Sequence, residues 1–363
     1  MTEPWQADEA RYGSRRLTLE LGNICNLHCS YCLRDEDALY HSRAVFMPTD
    51  LLRQIVADAR GVAGITEVAF TGGEPTLHPQ FAEIVSICGS ENLKASFVTN
   101  GWNFAKLWPE LAPLRESLSH VAFSTDGPTA ERHDRWRGDG SFIRLIHAFT
   151  ICRKSSFPFV IKIGIRRDTI DHLEEFAMFA ARMGAATVAF AHILPTSSEI
   201  ESDSALTLEE RARAEEEIAL LSRIFKMKIG IDVGYYNVNR EPPCSPLAAT
   251  SFNVDYEGRL TLCCNLSGFR GSQTRADVIA DLRTESFAAA YERLRELGRR
   301  QLKLRDDALT QFEQANIRPD LYTGSPCLFC LQTFAKMPWH NADSAEVPGR
   351  RFLPLAQTSA GSG

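Results

Sequence analysis

From Arg15 to Pro195, short apolar, β-branched runs alternate with longer stretches of helical period. Strands are expected in RRLTLELG (15–22), EVAFTGG (67–73), KASFVTNG (94–101), HVAFSTDG (120–127), FVIKIGIRRD (159–168) and ATVAFAHILP (186–195). Helical patterns lie between them, as in PTDLLRQIVADARG (48–61) and IDHLEEFAMFAARMG (170–184). The strands are apolar on both faces, as parallel strands covered by helices are. Six β/α units predict an α/β fold, a partial (β/α)6 TIM-like barrel, with functional groups at the carboxyl ends of the strands.

Beyond that region the rhythm changes. Residues 196–227 read as a polar loop and a charged helix, LTLEERARAEEEIALLSRIF, whose acidic face is a solvated surface more simply than a docking site. SFNVDYEGRLTLCCN (251–265) has the alternation of a β-hairpin turning at Glu257-Gly258. A helical stretch rich in Arg, Glu and Leu covers roughly 284–316, and SPCLFCLQTF follows it. The division expected is an N-terminal extension (1–14), a barrel (15–227), a small C-terminal domain (228–340) and a tail (341–363) that ends in the polar QTSAGSG.

Composition narrows the function. The 363 residues carry a net charge of −6, spread along the chain, with no basic patch for nucleic acid. No apolar run is long enough to span a bilayer, and MTEPWQADEARYGSRR lacks the apolar core of a signal peptide. A cytoplasmic location is expected, where ten cysteines suit metal ligation or burial better than disulfides.

Three of those cysteines, Cys25, Cys29 and Cys32, crowd into LGNICNLHCSYCLRDED (21–37) at the end of the first strand. Zinc held by Cys25, His28, Cys29 and Cys32 is one reading, but zinc ligands usually come in two separated pairs. A four-iron cluster suits thiolates, and three of them leave one iron open to a ligand. The Cys-x3-Cys-x2-Cys spacing of CNLHCSYC resembles that of the radical S-adenosylmethionine (SAM) enzymes. The resemblance implies a [4Fe-4S] cluster whose open iron is chelated by SAM, and reductive cleavage of SAM to a 5′-deoxyadenosyl radical.

Other stretches follow in the family's order. FTGGEP (70–75) resembles its GGEP motif, with Gly72 and Gly73 allowing close backbone approach and Glu74 accepting from the SAM ammonium group. The resemblance also implies that Tyr31 packs near the adenine, that Ser124 and Asp126 in FSTDGP lie near the ribose and methionine moiety, and that Asn100 in VTNG lines the same cleft. Arg166 or Arg167 would pair with the SAM carboxylate, with Arg166 the one assigned.

Downstream, Cys244, Cys263, Cys264, Cys327 and Cys330 form a second group. Adjacent strand residues point to opposite faces, so only one of Cys263 and Cys264 should serve one site. This region resembles the twitch form of the SPASM/twitch branch, whose Gly-x4-Cys spacing, here Gly258 to Cys263, selects Cys263. That implies one auxiliary [4Fe-4S] cluster on Cys244, Cys263, Cys327 and Cys330, with structural zinc on the same thiolates as the rival. Cys264, Cys88 and Cys152 are read as packed thiols.

The function implied is hydrogen-atom abstraction from a small molecule or a ribosomally made peptide, ending in oxidation assisted by the auxiliary cluster. Redox-neutral epimerisation or peptide cross-linking is the alternative chemistry. An iron–sulfur electron carrier or a zinc-stabilised binding protein is the non-enzyme alternative. A low-potential donor such as flavodoxin or ferredoxin would supply electrons, and a separate protein could recognise a peptide substrate. His133 and His192 are read as structural rather than catalytic.

Overall fold

The apolar runs assemble into one sheet. The structure, a computed structural model, describes residues 15–196 and 205–339. The expected extension 1–14, residues 197–204, residue 340 and the tail 341–363 lie outside the described residues. Strands β1 Arg16–Glu20, β2 Glu67–Thr71, β3 Lys94–Thr99, β4 Leu118–Thr125, β5 Phe159–Ile165 and β6 Thr187–His192 fall where the alternation predicts them. They are followed by β7 Lys228–Val233, β8 Ser251–Val254, β9 Arg259–Thr261 and β10 Val278–Asp281. Among the described residues the strand order is β10-β9-β8-β1-β2-β3-β4-β5-β6-β7.

The helices are α1 Thr49–Ala63, α2 Phe81–Ser90, α3 Phe104–Leu111, α4 Ala130–Arg137, α5 Ser141–Lys154, α6 Leu173–Met183 and α7 Leu208–Ile224. They continue with α8 Phe287–Gln314, α9 Leu321–Gly324 and α10 Pro326–Thr333. Local signals set their ends. Gly64, at φ +62°, closes α1 in the left-handed conformation, and Thr207 with Glu210 forms a capping box at the start of α7.

β1 to β7 are parallel neighbours, and β8 lies parallel on the other side of β1. The structure thus extends the six expected strands at both ends. β7 continues the barrel sheet beyond residue 227, and the hairpin β8–β9 joins the same sheet beside β1. Gly258, at φ +83°, turns that hairpin where Glu257-Gly258 was expected.

One sheet face is covered by helices. Phe97, Phe123 and Phe159 lie on it and meet Phe104 and Phe149 with ring centroids 5.0–6.4 Å apart. Burying each such ring contributes about 1.5–3 kcal/mol. Cys88 and Cys152 are buried in this core. A second apolar cluster, including Leu194, Leu247, Leu262, Phe269, Leu328 and Phe334, surrounds the later cysteines. The opposite sheet face carries polar side chains in alternate register: Glu20, Asn100, Asp126, Lys162 and Asn253.

Candidate active site and second cysteine centre

Cys25, Cys29 and Cys32 lie in the loop leaving the carboxyl end of β1. The GGEP loop leaving β2 is its seat. The Gly73 N–H donates to the Gly22 carbonyl at 3.0 Å, and the Glu74 N–H to the Ile24 carbonyl at 2.8 Å. A β-carbon on Gly73 would fall 2.0 Å from the Ile24 carbonyl oxygen, and one on Gly72 2.7 Å from that of Gly22. Gly72 is also at φ +128°, which favours glycine. The two glycines let β2 touch the cysteine loop itself.

Glu74 is buried and ties β2 to β3. Its Oε1 accepts from the Thr76 N–H, the Thr76 hydroxyl and the Thr99 hydroxyl, at 3.2, 2.5 and 2.7 Å. Its Oε2 accepts from the Asn100 N–H at 2.8 Å, which leaves acceptor capacity on that oxygen. The Asn100 side-chain amide donates to Asn26 Oδ1 at 2.9 Å and lies 4.0 Å from Cys25 Sγ. Burial pushes the Cys25 thiol up to about 12 and raises Cys29. Such thiols ionise when a metal centre brings positive charge to them. His28, the fourth ligand of the zinc reading, stacks on Tyr40 with centroids 3.8 Å apart.

Beside the loop lies a buried charge cluster. Asp126, at the end of β4, accepts from Arg166 Nη1 at 2.6 Å and also pairs with Arg137 and the Tyr31 hydroxyl. Arg137 Nη2 donates to the Tyr31 oxygen at 2.6 Å. The Arg166 guanidinium stacks over Trp136 and Tyr31, 4.2 and 4.7 Å from their centroids, and donates from Nε to Asp168 at 3.1 Å. Against the penalty of burial, the two guanidiniums hold the Asp126 carboxyl well below the usual carboxylate range. Arg166 Nη2 and Asn26 Nδ2 are buried donors with no hydrogen-bond acceptor in the protein. Unmet donors of this kind suit a ligand that carries a carboxylate and other acceptors.

Tyr31, Gly72, Gly73, Glu74, Asn100, Asp126 and Arg166 therefore gather around the cysteine loop. Ser124 lies on the same sheet face, one strand from Lys162 in register. Arg167 goes elsewhere: its Nη2 donates to the Ala205 carbonyl at 2.9 Å and pairs with Glu210 at 3.3 Å. His133 is buried, and its Nδ1 accepts the Asp126 N–H at 3.2 Å. His192 faces the helices, with Nε2 3.2 Å from Glu215 Oε1. Sequence reasoning missed Trp136 and Arg137. The only signal was the cationic, aromatic HDRWRG, which reads equally well as a helix surface.

The second cysteine group encloses a cavity. Cys244, Cys263, Cys327 and Cys330 line it with Leu247, Leu262, Leu266 and Leu331, and Cys264 is not among its lining residues. Cys327 and Cys330 stand three residues apart on α10, and so on one face of the helix. N–H groups point at three of the sulfurs: Gly234 N to Cys327 at 3.4 Å, Asn265 N to Cys263 at 3.5 Å and Gln301 Nε2 to Cys330 at 3.5 Å. Burial pushes Cys244 up to about 12 and raises Cys327 and Cys330. Four half-buried thiols, three of them with N–H···S donors, fit an iron–sulfur cluster. Gln301 and Arg305, buried on α8, were also missed. The α7 helix is more than a solvated face, because Arg211 is buried and Nη1 donates to the Gly234 carbonyl at 3.0 Å. Among the described residues, no three His, Cys, Asp or Glu side chains are grouped closely enough to hold a single metal ion.

The two centres are joined. Asp35 N donates to the Gly268 carbonyl and Arg270 N to the Leu33 carbonyl, each at 2.8 Å. Arg34 Nη1 pairs with Glu20 at 3.2 Å and also donates to the Ser267 carbonyl.

Residues 19–180 match the radical SAM superfamily. The PqqA peptide cyclase of Gluconobacter oxydans is 28% identical over 267 residues, covering 68% of this chain and 69% of the relative. Residues 19–180 are thus a radical SAM domain. The mycofactocin maturase MftC of Mycobacterium tuberculosis is 33% identical over 172 residues, 47% of this chain and 42% of the relative. That match spans less than half of the maturase's length. Streptococcus suis SuiB, in its structure bound to S-adenosylmethionine, superposes with a TM-score of 0.62 at 12% identity, covering 78% of this chain and 68% of that one. The anSMEcpe structure with bound AdoMet gives 0.60 at 17% identity, covering 76% and 80%. At those identities the likeness is one of fold. No helix among the described residues is long and apolar enough to cross a membrane.

Proposed function

We propose that this radical SAM enzyme modifies a peptide, most simply by oxidation, using one catalytic and one auxiliary [4Fe-4S] cluster. The observation that carries the reading is the pairing of two unlike thiol groups: three cysteines at the carboxyl edge of the sheet and four lining an apolar cavity. When bound, the catalytic cluster and SAM supply a 5′-deoxyadenosyl radical that removes a substrate hydrogen atom.

The protein's own residues bind and orient. Cys25, Cys29 and Cys32 hold the first cluster on a loop fixed by Gly72 and Gly73. Glu74 offers the free acceptor capacity of Oε2 to the SAM ammonium group, and Arg166 Nη2 offers a donor to its carboxylate. Asn100 and Asn26 present amides beside Cys25. Tyr31, stacked under Arg166, and Ser124 flank the remainder of the cofactor. Asp126 acts as a positioning residue that holds Arg137, Arg166 and Tyr31.

Cys244, Cys263, Cys327 and Cys330 hold the auxiliary cluster, as in twitch-type relatives. Residues 228–340 are its domain by function, although β7 and β8 share the barrel's sheet. The peptide reading is favoured over the small-molecule one by the relatives, a peptide cyclase and a maturase. A flavodoxin- or ferredoxin-like donor in the cytoplasm would supply the electron, and a separate peptide-recognition protein could present the substrate.

The test is isotope transfer. The reconstituted enzyme is given SAM, a reductant and deuterated candidate peptides. Deuterium in 5′-deoxyadenosine, together with a mass change in the peptide, is the expected result. Cleavage of SAM with deuterium transfer from no peptide would overturn the peptide reading.

A further inference from the structure

The polar face of the sheet holds an ion pair that the cofactor site leaves unused. The register pairing Thr99 with Phe123 carries Asn100 alongside Ser124, and Ser124 is paired with Lys162, Lys162 with Ala189 and Ala189 with Gly230. Asn100, Ser124, Lys162, Ala189 and Gly230 thus form one row across β3 to β7. Neighbouring strands are about 4.8 Å apart, so Lys162 stands about 10 Å along the row from Asn100. The Asn100 amide is the one that approaches Cys25.

Lys162 Nζ lies 2.7 Å from Asp232 Oδ2, and the two side chains keep 30% and 41% of their surface accessible. Asp232 is its one ion-pair partner among the described residues. An ammonium has three donors, so further acceptors can join it. The wall beside it is made of small residues. Ala189 and Ala191 are half-buried, and a β-carbon on Gly230 would meet nothing within 4 Å. An exposed ion pair adds little stability, so stability alone is a weak reason for one here.

We propose that Lys162, with Asp232 as its resting counter-ion, is a substrate subsite that binds a carboxylate and so sets which part of the peptide reaches the cofactor. This rests on the peptide-modifying reading above and names the chemistry of the substrate. The nearby Asp232 charge raises the Lys162 pKa and keeps it cationic, suited to an anion and not to proton abstraction. An incoming carboxylate accepts the remaining N–H donors and displaces Asp232 toward the solvent it already touches. The carboxylate belongs either to an acidic side chain or to a free peptide C-terminus.

Affinity selection without turnover tests this. The reconstituted enzyme, loaded with S-adenosylhomocysteine, is mixed with random octapeptide pools made as C-terminal acids and as C-terminal amides. Mass spectrometry then reads the retained peptides. The wild type should enrich carboxylate-bearing peptides by at least about tenfold over their neutral counterparts. Enrichment of Asp and Glu within the amide pool would assign the side chain, and enrichment of acids over amides the C-terminus. Lys162→Met should abolish the selection. Asp232→Asn should strengthen it, and tests the same subsite should Lys162→Met fold poorly. The proposal is overturned by unchanged selection in both variants, or by wild-type enrichment of Lys and Arg, which would make Asp232 the reader. Because nothing turns over, failed SAM cleavage would count against the peptide-modifying reading and leave this result to stand alone.

Discussion

The two cysteine groups use one ligand type in opposite settings. The first puts three thiols on a loop at the sheet edge, among amides, carboxylates and an arginine, Arg166, with an unmet donor. The second puts four thiols in an apolar cavity and aims N–H groups at three of them. A site one ligand short and rich in polar groups is built to take a small molecule at the metal. A site with a full set of thiolates and leucines around it is built to hold a centre and tune its electrons. The lesson is that ligand count and surroundings agree in each region, so each can be broken separately.

The sharpest break is by cysteine. Cys29→Ala should remove 5′-deoxyadenosine formation altogether, while Cys327→Ala should keep measurable cleavage and lose the modified product. Liquid chromatography of nucleoside and product in parallel checks both. Equal loss of cleavage in the two variants would erase the distinction.

The next break is electrostatic. Asp126→Ala leaves Arg137 and Arg166 buried without their shared carboxylate. A loss of about 3–5 kcal/mol is expected in denaturant unfolding. The pH dependence has a definite sign. The folded-state pKa of Asp126 is depressed, so its contribution is complete above the ordinary carboxylate value of about 4 and is lost as pH falls below it. The wild type should therefore lose stability faster than Asp126→Ala in acid, and parallel curves would contradict the assignment.

A smaller effect is expected at the seat of the first loop. Gly73→Ala drives a β-carbon into the Ile24 carbonyl and should cost about 1–3 kcal/mol. Iron retention should fall at the first centre while the second stays filled, as read by EPR of the two clusters. The smallest effect is at the second centre. Gln301→Leu removes the N–H aimed at Cys330 and should move that cluster's potential to a more negative value. An unchanged potential would make Gln301 a packing residue only.

Much of this was legible in the chain. Apolar alternation located the first six strands because each is a local pattern. Crowded thiols pointed to the first candidate centre because no ordinary core needs three cysteines in eight positions. Pairings distant in sequence were not legible. Nothing local in KIGIDV says that β7 continues the barrel, or in SFNV that β8 lies beside β1 across more than 200 residues. Arg137 and Trp136 sit in a segment that reads as a polar helix surface, and only the fold turns them onto Asp126 and Asp168. Gln301 and Arg305 were hidden in the same way, among the many charged and polar residues of α8.

The central claim is that seven cysteines hold two separate four-iron clusters. Iron and acid-labile sulfide, counted per chain after anaerobic reconstitution, test it most directly. About eight irons and eight sulfides are predicted for the wild type, and about four of each when Cys25, Cys29 and Cys32 are all replaced by alanine. Bound zinc without sulfide, or loss of all iron in the triple variant, would contradict it.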